Sequence, residues 1–298
     1  MKSAFDSAPK APLDSLKIKI IHEPNVEEPF AVVFKPSGLA SAPLKAGESS
    51  ALTQTASMFP AVLNVDGKKS VEAGLVHRID TATSGLLLVA SSQEFYNHIL
   101  ACQQSGRFIK GYSALCDIEM TNAQKLGGFP ELPERAKKSA GIALNYFFNQ
   151  DGNSRNEWRG LELSSYFRYY QKGAVQVRPV LENSNSAALK KIAAKKLYST
   201  RILSIKADAA SSVAQVKCKI AQGFKHQVRS HLAWLGLPAR GDSLYNFYFA
   251  KRGVFEPMRF YAVSLEFPDL NSNKVFNFEI DQKHLAEQSS SAGDALNF

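Results

Sequence analysis

The hydrophobic and polar positions along this chain predict a series of short strands. The run from Leu86 to Ala90 is wholly apolar and follows Gly85, which is typical of a buried strand. A similar run from Phe30 to Phe34 ends at Pro36. Three further segments have strand patterns: Phe108–Ile118, in which Lys110, Tyr112 and Ala114 share one face, Val213–Ile220, whose polar face is basic, and Met258–Phe267.

Two helices are predicted by the spacing of apolar residues. Ser91 and Glu94 match a capping box, and the following "FYNHILACQQSG" has helical spacing that ends at Gly106. The stretch "KHQVRSHLAWLG" has the same spacing and ends at Gly236. Its first turns contain three polar residues: His226, Gln227 and Arg229.

The ends of the chain differ in composition from its middle. Residues 1–17 and 285–298 are poor in large apolar residues, so we expect two flexible tails around one folded domain over 18–284. Within that domain, about 120–196 shows no clear pattern. Its stretch "ENSNSAALKKIAAKK" is compatible with a solvated helix or a mobile insertion, and its thin apolar face favours the insertion.

The charge balance indicates a polyanionic partner. Lys and Arg number 36 against 27 Asp and Glu, a net charge of +9, which favours nucleic acid. No apolar run reaches the roughly 18 residues that span a membrane, and the first residues lack the apolar core of a signal peptide, so we expect a cytoplasmic protein without membrane contact. Cys102, Cys116 and Cys218 lie far apart, and we interpret them as reduced packing residues.

Several kinds of catalytic site are absent from the sequence. There is no Walker A motif, no dinucleotide glycine fingerprint and no His-Glu-x-x-His motif, so we expect neither a cofactor nor a metal. His226 and His231 are five residues apart and do not share a helix face well as ligands. Ser84 lacks the glycine two residues earlier that a nucleophile elbow requires, because Ala82 stands there.

Asp80 is the candidate that remains. It precedes the buried strand, Arg78 lies two residues away, and Arg229 offers a second cation on a distant helix. An arginine close to a carboxylate lowers the pKa of that carboxylate and keeps it ionised, as a nucleophile requires. The alternative from local sequence is a turn or cap residue, the usual role of aspartate in a loop.

The sequence around Asp80 resembles the RluA-type family of RNA pseudouridine synthases. "HRIDTATSGLLLVA" is similar to the family's His-Arg-Leu-Asp-x-x-Thr-Ser-Gly-Leu-Leu signature, with Ile79 in the leucine position. Supporting matches follow in order: "FKPSGL", "KGYSAL", "HQVRSHLAWLGLPARGDSLY" and "RFYAVSLEF". The resemblance implies an α+β fold, in which flanking helices surround a mixed, largely antiparallel sheet with a central catalytic cleft.

The resemblance also implies the reaction. Specific uridines of structured RNA, ribosomal or transfer RNA, become pseudouridine when Asp80 attacks the ribose C1′ or the base, and the uracil detaches, rotates and rejoins through carbon. In the family pattern Tyr112 stacks on the base and Arg229 pairs with Asp80. From spacing alone, Tyr112 is equally a strand residue packed against the core, and Arg229 is a surface helix cation.

The resemblance assigns supporting roles to other residues. Arg78 corresponds to an arginine that occupies the space of the flipped nucleotide; its simpler role is a phosphate contact. The expected RNA-binding residues are Arg78, Lys110, Lys225, His226 and Gln227. The expected structural residues near the site are His77, Thr83, Gly85, Lys35 and Pro36.

The chain departs from the family pattern in one motif. Relatives commonly have Gly-Arg-Thr-His-Gln-Ile-Arg where this chain has "GFKHQVR", so Phe224 and Lys225 replace Arg and Thr. Only about twenty residues precede the first match, so we expect no S4-like domain. As the default oligomeric state we expect a monomer. Two alternatives are a noncatalytic RNA-binding or RNA-folding protein on the same scaffold, and a retaining glycosidase, for which no partner acid is identifiable.

Overall fold

The computed structural model of the protein describes residues 16–43, 45, 47–138, 160–208, 211–252 and 256–280. The predicted tail 285–298 and nearly all of the tail 1–17 lie outside these residues. The chain divides into two compact units. Among the described residues, the Asp80 unit covers those from Leu16 to Gly111 and from Ala262 to Ile280, and the Arg229 unit covers those from Tyr112 to Tyr261.

The secondary structure contains more strand than helix. In chain order the strands are β1 Lys19–His22, β2 Phe30–Lys35, β3 Ser84–Ala90, β4 Ile109–Asp117, β5 Glu162–Tyr170, β6 Gln176–Val180, β7 Tyr198–Asp208, β8 Val213–Ile220, β9 Phe260–Pro268 and β10 Val275–Glu279. The helices are α1 Ala51–Met58, α2 Gln93–Gln104, α3 Asn122–Leu126, α4 Ser186–Leu189, α5 Gln227–Leu235 and α6 Phe247–Arg252. Another helical stretch covers 134–138, and 3₁₀ turns cover Pro60–Asn64, Ser70–Glu72 and Lys172–Ala174.

The Asp80 unit is built on the two apolar runs that the sequence marks as strands. Its strand order is β1-β2-β3-β9, with β10 paired to β9. β2 and β3 run antiparallel, with Phe30 opposite Ala90 and Lys35 opposite Gly85, and every residue of both strands is buried. Because both faces of these strands are covered, the sequence shows continuous apolar runs instead of alternation. Phe30 stacks on Phe95 of α2 in the core.

The Arg229 unit has the strand order β4-β8-β7-β5-β6. Adjacent strands are antiparallel in the pairs β7–β8, β5–β7 and β5–β6, so the predicted α+β class with a largely antiparallel sheet is confirmed. The predicted alternation of β8 is also confirmed, since Val216, Cys218 and Ile220 are buried and the polar residues between them are half-buried. All nine residues of α5 are buried.

The start of α2 differs from the prediction by one residue. The N-cap is Ser92, whose Oγ accepts a hydrogen bond from the Phe95 backbone N–H, so the predicted capping box of Ser91 with Glu94 is wrong. Ser91 instead continues the pairing of β3 with β2, because its N–H donates to the carbonyl of Pro29 at 2.9 Å. The sheet pairing therefore decides which serine caps the helix.

The segment about 120–196 also differs from the prediction. Residues 139–159 lie outside the described part, but 160–180 supplies β5 and β6 to the sheet. The stretch interpreted as a mobile insertion contains α4, and the N–H of Ala193 donates to the carbonyl of Phe167 on β5 at 2.8 Å. This stretch therefore contacts the sheet directly. The pattern was hard to recognise because polar Ser165 occupies a buried position of β5.

Candidate active site

The loop that carries Asp80 begins alongside β3 and pairs with it. Leu75 forms an isolated bridge with Val89, and the N–H of Val76 donates to the carbonyl of Leu88. Nε2 of His77 accepts a hydrogen bond from the Leu88 N–H at 3.2 Å. Burial, and then the positive charge of Lys110, lowers the pKa of His77 to about 3, so its imidazole is neutral and suited to this acceptor role.

Lys35 holds the next part of the loop through hydrogen bonds to backbone carbonyls. Its side chain is fully buried, and its Nζ donates to the carbonyls of Pro36, Leu39 and Thr81 at 2.9, 2.7 and 3.2 Å. The same carbonyl of Thr81 also accepts from the N–H of Gly38 at 2.8 Å. One ammonium group therefore holds the turn after β2 against the residue that follows Asp80.

Two serines complete the contact between these segments. Ser41 Oγ donates to the carbonyl of Ile79 at 2.8 Å and accepts from the Ile79 N–H at 3.2 Å. Ser37 Oγ donates to the carbonyl of Ala82 at 2.8 Å. The residues on both sides of Asp80 are thus fixed through their backbone, while Asp80 itself is half-buried. The sequence analysis missed both serines, because a serine in a turn carries no sign of a partner about forty residues away.

Lys35 and Asp80 also interact electrostatically. Burial lowers the pKa of Lys35 to about 7, and the negative charge of Asp80 opposes that shift. The three carbonyls that accept from Nζ use all three N–H donors of the ammonium form.

Gly85 and Thr83 shape the passage from the loop into β3. Gly85 has a φ of 137°, and a Cβ atom there would lie 2.1 Å from the carbonyl oxygen of Ala262, so only glycine fits. The N–H of Thr83 donates to the carbonyl of Asp80 at 2.9 Å, which closes the turn. Thr83 is buried, and its hydroxyl has no hydrogen-bond partner within the described part of the chain.

The two cations expected to contact RNA in this unit have different environments. The Arg78 side chain is 58% exposed, and its Nη1 lies 3.0 Å from Oε1 of Glu72. Lys110 is buried, its Nζ lies 5.0 Å from the centre of the Phe108 ring, and burial lowers its pKa to about 8. Arg78 is therefore accessible to a ligand, and the burial of Lys110 argues against a direct phosphate contact.

In the Arg229 unit, Arg229 lies inside the protein. It is 4% exposed, and its Nε and Nη2 donate to the two carboxylate oxygens of Asp242 at 2.7 and 2.8 Å. Burial raises the pKa of Asp242, but the charge and hydrogen bonds of Arg229 outweigh it, so the pKa falls below its usual value. The interpretation of Arg229 as a surface helix cation is wrong. Asp242 lies in the "GDSLY" part of the matched motif, and its partner is evident only from the structure.

Two residues at the start of α5, His226 and Gln227, form hydrogen bonds with neighbouring segments of the chain. His226 adopts a left-handed conformation with φ of 53°, and its Nδ1 lies 3.1 Å from the hydroxyl of Tyr245. Gln227 is buried, accepts from the Phe224 N–H at 2.9 Å and donates to the carbonyl of Ser199 at 2.9 Å. Gln227 therefore has a structural position, and its burial argues against the predicted RNA contact.

The two residues that depart from the family pattern occupy separate environments. Phe224 stacks on Phe167, with ring centroids 5.1 Å apart and planes 4° apart, and also contacts Tyr198. Lys225 is exposed, and its Nζ donates to the carbonyl of Ala174 at 2.8 Å. Phe224 thus joins an aromatic cluster, whereas Lys225 keeps a charge at the surface.

Tyr112 lies against another aromatic ring. It is 8% exposed, and its ring is parallel to that of Phe260, with centroids 5.3 Å apart and planes 2° apart.

The three cysteines are free and buried. Among the described residues there is no group of three or more His, Cys, Asp or Glu that could hold a metal ion, and no helix there is long and apolar enough to cross a membrane.

The predicted site residues therefore divide between the two units. The Asp80 unit contains Lys35, Pro36, His77, Arg78, Asp80, Thr83, Gly85 and Lys110, and the Arg229 unit contains Tyr112, Lys225, His226, Gln227 and Arg229. The pairing of Asp80 with Arg229 stays a prediction, as does the central cleft.

Comparison with known proteins identifies similar chains. A family model described as RNA pseudouridylate synthase matches residues 29–234. The Xenopus tropicalis protein named pseudouridylate synthase RPUSD4, mitochondrial, is 27% identical over 237 residues, which cover 78% of this chain and 62% of that protein. A Mycoplasma pneumoniae (strain ATCC 29342 / M129 / Subtype 1) protein, named uncharacterized RNA pseudouridine synthase MG209 homolog, is 25% identical over 258 residues, covering 86% and 65%. This chain thus spans less than two thirds of these relatives.

Two solved structures have a similar fold. Human RNA Pseudouridylate Synthase Domain Containing 1 superimposes with a TM-score of 0.56 at 18% identity, covering 92% of this chain and 87% of that one. Human RNA Pseudouridylate Synthase Domain Containing 4 gives a TM-score of 0.51 at 17% identity, covering 88% and 87%. At these identities the similarity supports the α+β fold alone.

Proposed function

The chain belongs to the RNA pseudouridylate synthase family, and from that premise we propose that it is an isomerase that converts specific uridines of structured RNA to pseudouridine. The observation that carries the proposal is that the matched segment, residues 29–234, contains Asp80, Tyr112 and Arg229. The RNA is ribosomal or transfer RNA.

In the proposed reaction Asp80 is the nucleophile. It attacks the ribose C1′ or the base and forms a covalent bond, and the bond between C1′ and the uracil nitrogen breaks. The uracil rotates, a carbon of the ring bonds to C1′, and the bond to Asp80 breaks, which regenerates the free carboxylate. The hydrogen on that carbon is replaced and the freed nitrogen gains one, so the atoms balance without a cofactor. The backbone contacts around Asp80 support this role, because a nucleophile acts efficiently when its position is fixed before substrate arrives.

Tyr112 and Arg229 have environments that suit the proposed roles. Phe260 supports one side of the Tyr112 ring, which makes the tyrosine a rigid platform for a base. Asp242 fixes the guanidinium of Arg229 in one orientation. We propose that Arg229 pairs with Asp80, and that exposed Arg78 enters the space that the flipped nucleotide leaves.

The RNA is bound partly through surface charge. Exposed Lys225 and the neighbouring His226 are proposed contacts at the start of α5, and they act mainly on the phosphate backbone. We also propose a cytoplasmic location, although the Xenopus tropicalis relative is named mitochondrial. Cell fractionation with an antibody to the full chain distinguishes the two compartments.

The test is pseudouridine mapping of total RNA from cells with and without this protein. We expect one or a few sites to disappear on deletion and to return with the wild-type chain but not with Asp80→Asn. Return of the sites with the variant would overturn the nucleophile assignment. A purified protein that binds RNA but converts no uridine would indicate the noncatalytic alternative, and release of free uracil would indicate a glycosidase.

A further inference from the structure

We propose that the polar face of β7 and β8 is a docking surface for the phosphate backbone of the RNA. The surface, called here the basic face, consists of Arg201 and Lys206 on β7 and of Lys217 and Lys219 on β8. The inference rests on the proposed function for its substrate class. It adds a binding surface that none of the residues assigned to the reaction contributes to.

The strand register places these cations side by side. Arg201 lies opposite Lys219, Ser204 opposite Lys217, and Lys206 opposite Gln215. Side chains of directly opposite residues project from the same face of a sheet, about 5 Å apart across strands and roughly 7 Å apart along a strand. The four cations therefore form a compact two-row array.

Arg201 and Lys219 are like charges directly opposite each other, an arrangement that by itself destabilises a sheet. Glu162 on β5 offsets part of this effect, because its Oε2 lies 3.2 Å from Nη2 of Arg201. In sequence, β7 and β8 together contain these four cations and one acidic residue, Asp208, at the end of β7. The face therefore has a net positive charge, which attracts a polyanion.

The shape of this face also suits an extended ligand. A β-bulge interrupts the register between Ile202 and Ser204, and bulges bend a strand and leave a residue unpaired. A groove in this surface is lined by the cations Arg201, Lys206 and Lys217 together with Gly160, Ile202, Leu203 and Ser204. The three separated cations suit the phosphate backbone of an RNA.

The basic face is separated from Arg229 by the sheet. Thr200, the neighbour of Arg201, is fully buried on the other side, where its hydroxyl contacts Gln227 and His231 of α5. Arg201 points away from that helix, because successive strand residues face opposite sides. We therefore expect the basic face to govern RNA affinity and not the chemical step.

The test compares two variants of the full chain with equal loss of charge. Lys206→Gln/Lys217→Gln removes two cations of the basic face, and Lys190→Gln/Lys191→Gln removes two exposed lysines elsewhere in the same unit. Binding of a generic 20-base-pair RNA duplex and of total transfer RNA is measured by anisotropy at several salt concentrations. Circular dichroism and thermal unfolding verify that both variants are folded.

We expect the basic-face variant to bind each RNA at least about tenfold more weakly. The slope of the logarithm of its binding constant against the logarithm of salt concentration should fall in magnitude by about two. We expect the control variant to lose less than about threefold in RNA affinity. Equal weakening in both variants, or none in the first, would overturn the docking surface.

Conversion is assayed separately on RNA extracted from cells that lack the protein. We expect the basic-face variant to reach the wild-type rate at saturating RNA. If it binds normally and wild type converts uridine, the docking surface fails and the proposed function stands. If it binds poorly and wild type converts no uridine, the proposed function fails and the docking surface stands.

Discussion

The two charged residues of the proposed chemistry are held in opposite ways. Arg229 is buried and clamped by the carboxylate of Asp242 through two hydrogen bonds. Asp80 is half-buried on a loop whose neighbouring residues are fixed through their backbone by Lys35 and Ser41. A buried charge needs a charged partner, whereas an accessible nucleophile needs a fixed backbone and a carboxylate that substrate can reach. The comparison contrasts two ways of positioning a charged residue: by a buried counter-charge, and through the backbone of its loop.

The largest effect is expected at Asp80. Asp80→Asn keeps the size of the side chain but removes the nucleophile, so conversion should fall at least about 10³-fold. RNA affinity should change by less than about threefold, because the backbone contacts of the loop are retained. Single-turnover conversion and anisotropy measure the two quantities, and substantial conversion by a sequence-verified variant would contradict the assignment.

The next largest effect is expected at Asp242. Asp242→Asn removes the carboxylate that accepts the hydrogen bonds of Nε and Nη2 of buried Arg229, which should lower the free energy of unfolding by about 3–5 kcal/mol. Urea denaturation measures this change.

The matched control removes both charges. Arg229→Met/Asp242→Leu should recover most of the lost stability, since an apolar pair of similar volume often replaces a buried ion pair without loss. The double variant should still convert no uridine. A single variant within about 1 kcal/mol of wild type would show that the clamp is unimportant for folding.

A smaller effect is expected at Lys35. Lys35→Met removes the donor for the carbonyls of Pro36, Leu39 and Thr81, and should lower the free energy of unfolding by about 2 kcal/mol. Conversion should fall more than RNA affinity, because the loop with Asp80 loses its fixed position. Ser41→Ala, which removes a hydroxyl that fixes the same loop at Ile79, should show the same pattern to a smaller extent, with an expected loss of about 1 kcal/mol. Equal loss of affinity and conversion would argue against a positioning role.

A pH-dependent effect is expected from two buried histidines, one in each unit. Burial lowers the pKa of His77 and of His231 to about 3. Between pH 6.5 and 3 the unfolded chain binds more protons than the folded chain, so stability should fall as pH falls, by up to about 1.4 kcal/mol per pH unit for each histidine. His77→Gln and His231→Gln should each remove one such contribution from the slope, measured by urea unfolding between pH 7 and 4. An unchanged slope would contradict the neutral assignment.

Local sequence was informative where burial follows the period of the element. β2 and β3 were predicted from continuous apolar runs, and β8 from strict alternation, because each pattern records which faces of the strand are covered. β5 was missed because polar Ser165 is buried against His231 of α5, at 2.9 Å. A polar residue at a core position breaks the pattern that prediction depends on.

The sequence by itself determined β2, β3 and β9 of the Asp80 unit, the helix of Arg229, the α+β class and, through its motifs, the family. Only the tertiary structure decided the partners: Lys35 with Thr81, 46 residues apart, Ser41 with Ile79, 38 residues apart, and Arg229 with Asp242. The reason is physical. Periodicity and motifs express what each segment buries against its surroundings, but which distant donor meets which acceptor is fixed only when the packed elements bring them within hydrogen-bond distance.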